Sequence, residues 1–84
     1  MKNGGQIRRQ VVANAFGATL KAIRLEQGVS QFELAIRCKF NRTYPSLLER
    51  GLRQPTLWMI VRLARALNIE PAQLVIATIA RFRE

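Results

Sequence analysis

Apolar residues recur along this chain at spacings of three and four, and no stretch of useful length alternates with period two. Ile7, Val11, Val12, Phe16, Leu20 and Ile23 mark the stripe of a first helix ending near Gln27, with Gly28 as its stop. Leu34, Ala35 and Cys38 form the inner face of a second helix. Lys39 and Phe40 make a turn, and a third helix runs to about Arg50 and stops at Gly51. Leu57, Ile60, Leu63, Ala64 and Leu67 face inward from a fourth helix closed by Asn68. A fifth carries Leu74, Val75, Ala77, Ile79 and Phe82. The pattern predicts a compact all-α domain of five helices with short connections.

Polar residues punctuate these stripes. Ser30 caps the second helix, and Glu33 three residues on completes a capping box. Thr56 caps the fourth, and Pro71 suits the first turn of the fifth. Asn41 is a cap for the third helix, but Pro45 opens a second placing. Counted from Asn41, Pro45 would be the fourth helical residue, where its ring crowds the first hydrogen-bonded carbonyl. The alternative is a helix that starts late, with Pro45 in its first turn and residues 41–44 as a loop. Proline also pushes Tyr44 toward extended angles.

The composition narrows the function. Fourteen Lys and Arg stand against five acidic residues in 84, a net charge of +9. Such an excess in so small a domain points to a polyanionic partner, nucleic acid first and an anionic membrane second. Histidine is absent and Cys38 is the sole cysteine, so no intrachain disulfide and no thiol- or imidazole-based metal site is available. Cys38 reads as a small core hydrophobe. Without histidine or a glycine-rich phosphate loop, no acid–base pair or nucleophile constellation is visible, and neither enzymatic activity nor a cofactor is expected. No apolar run suits a signal peptide or a membrane span, the longest patches being broken by Arg62, Arg65 and Arg81. The expectation is one cytoplasmic domain over residues 1–84, with a loose start at 1–5.

Within this frame, Ser30 to Gly51 reads as two short helices joined by a tight turn, the second of them basic. That is the pattern of a helix-turn-helix, which lays its second helix in the DNA major groove. The runs GVSQFELAIR, NRTY, SLLERG, RQPT and LARALNIEPAQL resemble the lambda-repressor-like helix-turn-helix domains of the xenobiotic-response-element type. RTY followed by SLLERG is especially similar to the controller proteins of restriction-modification systems. The resemblance spans about Phe16 to Val75. It implies sequence-specific binding to double-stranded DNA, usually as a homodimer on a palindromic operator.

Carried onto this sequence, the resemblance puts Arg42 and Thr43 where the family reads base edges, with Tyr44 and Ser46 as candidates on the same exposed side. It puts Gln31, Arg50, Arg53 and Gln54 at phosphate-contacting positions. Arg24 and Glu49 occupy the places of an internal ion pair. Two positions depart from the family: Lys39 stands where glycine usually takes positive φ, and Pro45 where a buried aliphatic residue is usual. The chemistry of the side chains agrees with these roles. The planar fork of Arg42 can donate twice to O6 and N7 of a guanine, and Thr43 offers a hydroxyl and a methyl.

Some apolar residues fall where this fold meets water: Phe32 and Ile36 on the second helix, Trp58 and Val61 on the fourth. Ile76, Ile79 and Phe82 exceed what one small core needs and suggest the dimer contact. Two rival functions use the same scaffold. One is an antitoxin that neutralises a toxin partner through its exposed apolar stripe; the other is a protein-interaction module with weak DNA affinity.

Overall fold

A computed structural model describes residues 7–83. Five helices follow one another: α1 (Arg9–Glu26), α2 (Gln31–Cys38), α3 (Tyr44–Glu49), α4 (Leu57–Ala66) and α5 (Pro71–Ala80). The described residues contain no strand, and none of their helices is long and apolar enough to cross a membrane. The expected loose start at 1–5 lies outside the described residues.

The helix ends follow from their capping chemistry. Ser30 Oγ accepts from the Glu33 amide at 2.9 Å, and Thr56 Oγ1 accepts from the Met59 amide at 3.1 Å. The capping box expected at Ser30 is only half formed, because the Glu33 carboxylate turns along the helix to Arg37 instead, at 2.8 Å. At α5 the other half of a box forms, the Glu70 amide donating to Gln73 Oε1 at 3.0 Å, with Pro71 at the first helical position. Gly28 and Gly51, at φ +71 and +73, end α1 and α3 in the left-handed region that glycine enters without a Cβ penalty.

Pro45 decides where α3 begins. Asn41 does not cap the helix; its Oδ1 accepts from the Thr43 amide at 3.0 Å and from Thr43 Oγ1 at 2.8 Å, closing a turn of its own. The first helical bond runs from the Leu47 amide to the Thr43 carbonyl. Pro45 is therefore the second helical residue, where an amide hydrogen has no helical partner to lose. Its ring is fully buried.

Phe16, Leu20, Leu34, Leu48, Leu63, Leu67 and Leu74 form one core to which every helix contributes. Leu57 is a correction: it is 74% exposed, not inward. It opens α4 one turn ahead of Ile60, and no neighbouring element covers it there. Gly17 shows why α1 tolerates a glycine in its interior. A Cβ at this position would lie 2.4 Å from the Leu48 carbonyl oxygen and 2.7 Å from that of Glu49. The backbones of α1 and α3 touch, which sets how deeply α3 seats.

Candidate nucleic-acid interface

The unit that carries the candidate site is α2, the turn and α3. The turn is sharp because Lys39 adopts φ 57, ψ 42, the left-handed conformation. For lysine this costs about 1 kcal/mol or more relative to glycine. The Lys39 and Phe40 amides donate back to the Ile36 and Ala35 carbonyls, closing the end of α2.

Beneath the unit lies the Arg24–Glu49 pair. Arg24 Nε donates to Glu49 Oε2 at 2.7 Å and its Nη2 to Oε1 at 2.9 Å, a two-pronged contact with side chains only 8% and 3% exposed. Arg24 Nη1 also donates to the Val29 carbonyl at 2.8 Å. The bond to Glu49 raises the Arg24 pKa despite the opposing effect of burial. The expected internal pair is thus present, and it ties α1 to α3.

Charge at the surface follows from that pairing. Glu33 and Glu49 are the acidic residues of the 30–51 segment, and both are engaged, with Arg37 and Arg24. Lys39, Arg42, Arg50 and Arg53 are exposed around α3, with no acidic partner among the described residues. Screening leaves such a one-signed patch effective over about 8–10 Å at physiological salt.

The residues singled out by sequence meet this patch in different ways. Arg42 and Thr43 are exposed on the loop leading into α3, not on the helix itself. The Arg42 guanidinium lies over the Phe32 ring, 5.2 Å from its centroid, and the Thr43 hydroxyl is held by Asn41. Tyr44 and Ser46 are half-buried at the start of α3. Tyr44 meets Phe40 edge to face, with centroids 5.3 Å apart. Burial pushes its phenol pKa up, and the positive charge of Arg53 draws it partly back. Arg50 and Arg53 are exposed at the far end of α3, where Arg50 Nε donates to the Ser46 carbonyl at 3.4 Å. Gln31 sits at the first turn of α2, but its amide donates to Glu49 Oε1 at 3.0 Å. Gln54 Nε2 donates to the Arg9 carbonyl at 2.6 Å, which fastens the loop after α3 to the start of α1.

Sequence reasoning missed a second set of residues around the turn. Arg62 Nη2 donates to the Cys38 carbonyl at the end of α2. Its guanidinium lies over both the Trp58 and the Phe40 rings. The spacing of four between Trp58 and Arg62 was the available signal, since it places them on one helix face.

Comparison with known proteins agrees with this geometry. A helix-turn-helix domain family matches residues 15–75. The chain is 39% identical over 62 residues to an uncharacterized HTH-type transcriptional regulator, y4dJ, of Sinorhizobium fredii, covering 74% of this chain and 80% of that one. It is 39% identical over 61 residues to the control protein C.BamHI of Bacillus amyloliquefaciens, covering 71% and 75%. Among solved structures it is similar to the restriction-modification controller protein C.Esp1396I, a tetramer in complex with its natural 35 base-pair operator. That match has a TM-score of 0.75 and 28% identity, covering 82% of this chain and 91% of the other. With its five-helix fold, its left-handed turn and its buried Arg24–Glu49 tie, the chain belongs to the helix-turn-helix family of transcriptional regulators.

Proposed function

We propose that this chain is one sequence-specific DNA-binding domain over residues 1–84, acting as a homodimer on a palindromic operator. The observation that carries the reading is the unopposed positive patch around α3. The acidic residues of the segment are consumed by internal pairs, and Lys39, Arg42, Arg50 and Arg53 remain for phosphate and base edges. The operator complex of C.Esp1396I supports it.

In this reading Arg42 and Thr43 read base edges from the loop, with Tyr44 and Ser46 beside them. Arg42 makes its contact with Phe32 through the ring face and without a hydrogen bond, so its N–H donors stay available for a guanine. Arg50, Arg53 and Gln54 set register on the phosphates at one end of α3, and Gln31 does so at the start of α2.

Selection of bound sites from a random duplex library tests the proposal. A palindromic consensus is expected, and no enrichment would end the sequence-specific reading. On the selected site, Arg42→Ala should relax preference at one base pair by about 1–3 kcal/mol. Arg50→Ala should weaken all duplexes alike and lower the slope of log K against log salt by about 0.9 per copy, about 1.8 for the dimer. Equal losses on every sequence for both variants would remove base reading by Arg42.

A further inference from the structure

α3 has six residues and no side-chain cap at Thr43, too short a helix to hold its own direction in water. Its far end is seated by Leu48 in the core and by Glu49. Its near end, where the candidate base-reading residues sit, follows an irregular segment from Lys39 to Thr43. The buried Pro45 ring seats that end, and a continuous stack joins the turn before it to α4. The Arg62 guanidinium lies 4.6 Å from the centroid of Trp58 on α4 and 5.2 Å from that of Phe40 in the turn. Phe40 in turn meets Tyr44, the first residue of α3, edge to face at 82°. Arg62 also donates to the Cys38 carbonyl, one of the last carbonyls of α2, which have no partner within their own helix.

We propose that Arg62, through the Trp58–Phe40–Tyr44 stack, is a positioning residue for DNA reading: it locks the turn against α4 and so fixes where Arg42 and Thr43 point. The inference rests on the DNA-reading proposal for its consequence, but not for its geometry. Only an arginine satisfies both halves of the arrangement. Its guanidinium carbon lies over two rings while Nη2 donates to a carbonyl, and a lysine ammonium has only one nitrogen to serve both. Trp58, 62% exposed, thereby gains a role that core packing does not give it.

Two measurements on Arg62→Gln, Arg62→Lys and Trp58→Leu test this. In the free chain, hydrogen exchange reads the Tyr44 and Leu47 amides, which donate to the Asn41 and Thr43 carbonyls. All three variants should speed exchange there by about tenfold while leaving the amide of the core residue Leu20 unchanged, given the strength of a cation–π contact or a charged hydrogen bond. On DNA, the ratio of affinities for the selected site and a scrambled duplex should fall by a similar factor in each variant. The salt slope should hold for Arg62→Lys and Trp58→Leu, which keep every charge. Unchanged exchange at Tyr44 and Leu47 would overturn the proposal. So would full rescue by Arg62→Lys, because charge alone would then explain the effect. If Arg62→Gln fails to fold, Trp58→Leu decides, since that side chain lies outside the core. A wild-type chain that does not discriminate between duplexes would defeat the DNA reading, and the exchange arm would still decide the clamp.

Discussion

Glu49 receives three hydrogen bonds on two oxygens: Arg24 Nε on Oε2, and Arg24 Nη2 and Gln31 Nε2 on Oε1. Its side chain is 3% exposed, so its charge depends almost wholly on Arg24 for compensation. Removing one partner of a buried pair leaves the other charged and unpaired, which costs about 3–5 kcal/mol. Glu49→Gln should therefore destabilise the domain by about 3 kcal/mol, on the order of 15 °C in Tm for a chain of this size. Thermal unfolding checks it, and a change below about 0.5 kcal/mol would mean the pair is dispensable. Cys38 makes a second prediction at this scale. Burial pushes its thiol up from an ordinary value of 9.0, although Arg62 and Arg37 draw it back. Below that value the thiol is neutral in both folded and unfolded chains. Above it the unfolded chain loses its proton first, so stability falls as pH rises from about 9 through the folded value. Denaturant unfolding at pH 8 and pH 10 should show a smaller drop in Cys38→Ala than in the wild type.

At the scale of the elements, the contact between α1 and α3 governs how α3 is presented. Alanine in place of Gly17 would gain about 1 kcal/mol in helix propensity. It would also drive a Cβ into two backbone carbonyls that have no rotamer to yield. Overpacking of this kind costs about 1–3 kcal/mol, and the displaced segment includes Glu49. Gly17→Ala should lower Tm, against its propensity, and should weaken operator binding beyond that loss; a higher Tm with intact binding would contradict the close approach. This glycine also marks the limit of what sequence makes legible. Its presence inside a helical stripe was visible, but the carbonyls it accommodates lie some thirty residues away in sequence. Where the determinant is local, sequence sufficed. Ser30 and Thr56 locate helix starts through their own hydrogen bonds, and Pro71 and Pro45 do so through the fixed geometry of one ring. Where the determinant is a choice between partners, it did not. Glu33 had both Ser30 and Arg37 within reach, Gln31 had Glu49, and the Arg62 stack joins residues from two elements. Leu57 fits the apolar stripe of α4, but exposure depends on what lies beyond the helix end.

For the whole molecule, the six residues of α3 pose a question of information. At about 1.5 Å per residue the helix spans roughly 9 Å, the rise of about three base pairs. Three pairs recur throughout any genome, so one copy cannot select a site, and two copies about 34 Å apart would read twice as many. The surface we propose for joining them is on and just after α5. Leu74 and Thr78 face the core, whereas Ile76 is 61% and Ile79 40% exposed, with Phe82 half-buried near the end. Isolated exposed apolar residues are ordinary, but Ile76 and Ile79 lie three apart on one helix face. Ile79→Glu places a charge in that face without entering the core. Sedimentation equilibrium should show the wild type as a dimer and the variant as a monomer with unchanged helicity. On the selected palindrome the variant should lose affinity, and its salt slope should fall to about half, because each monomer carries half the phosphate contacts. A variant that stays dimeric would move the interface off α5, and one that turns monomeric with undiminished slope would show that the two copies do not bind DNA together.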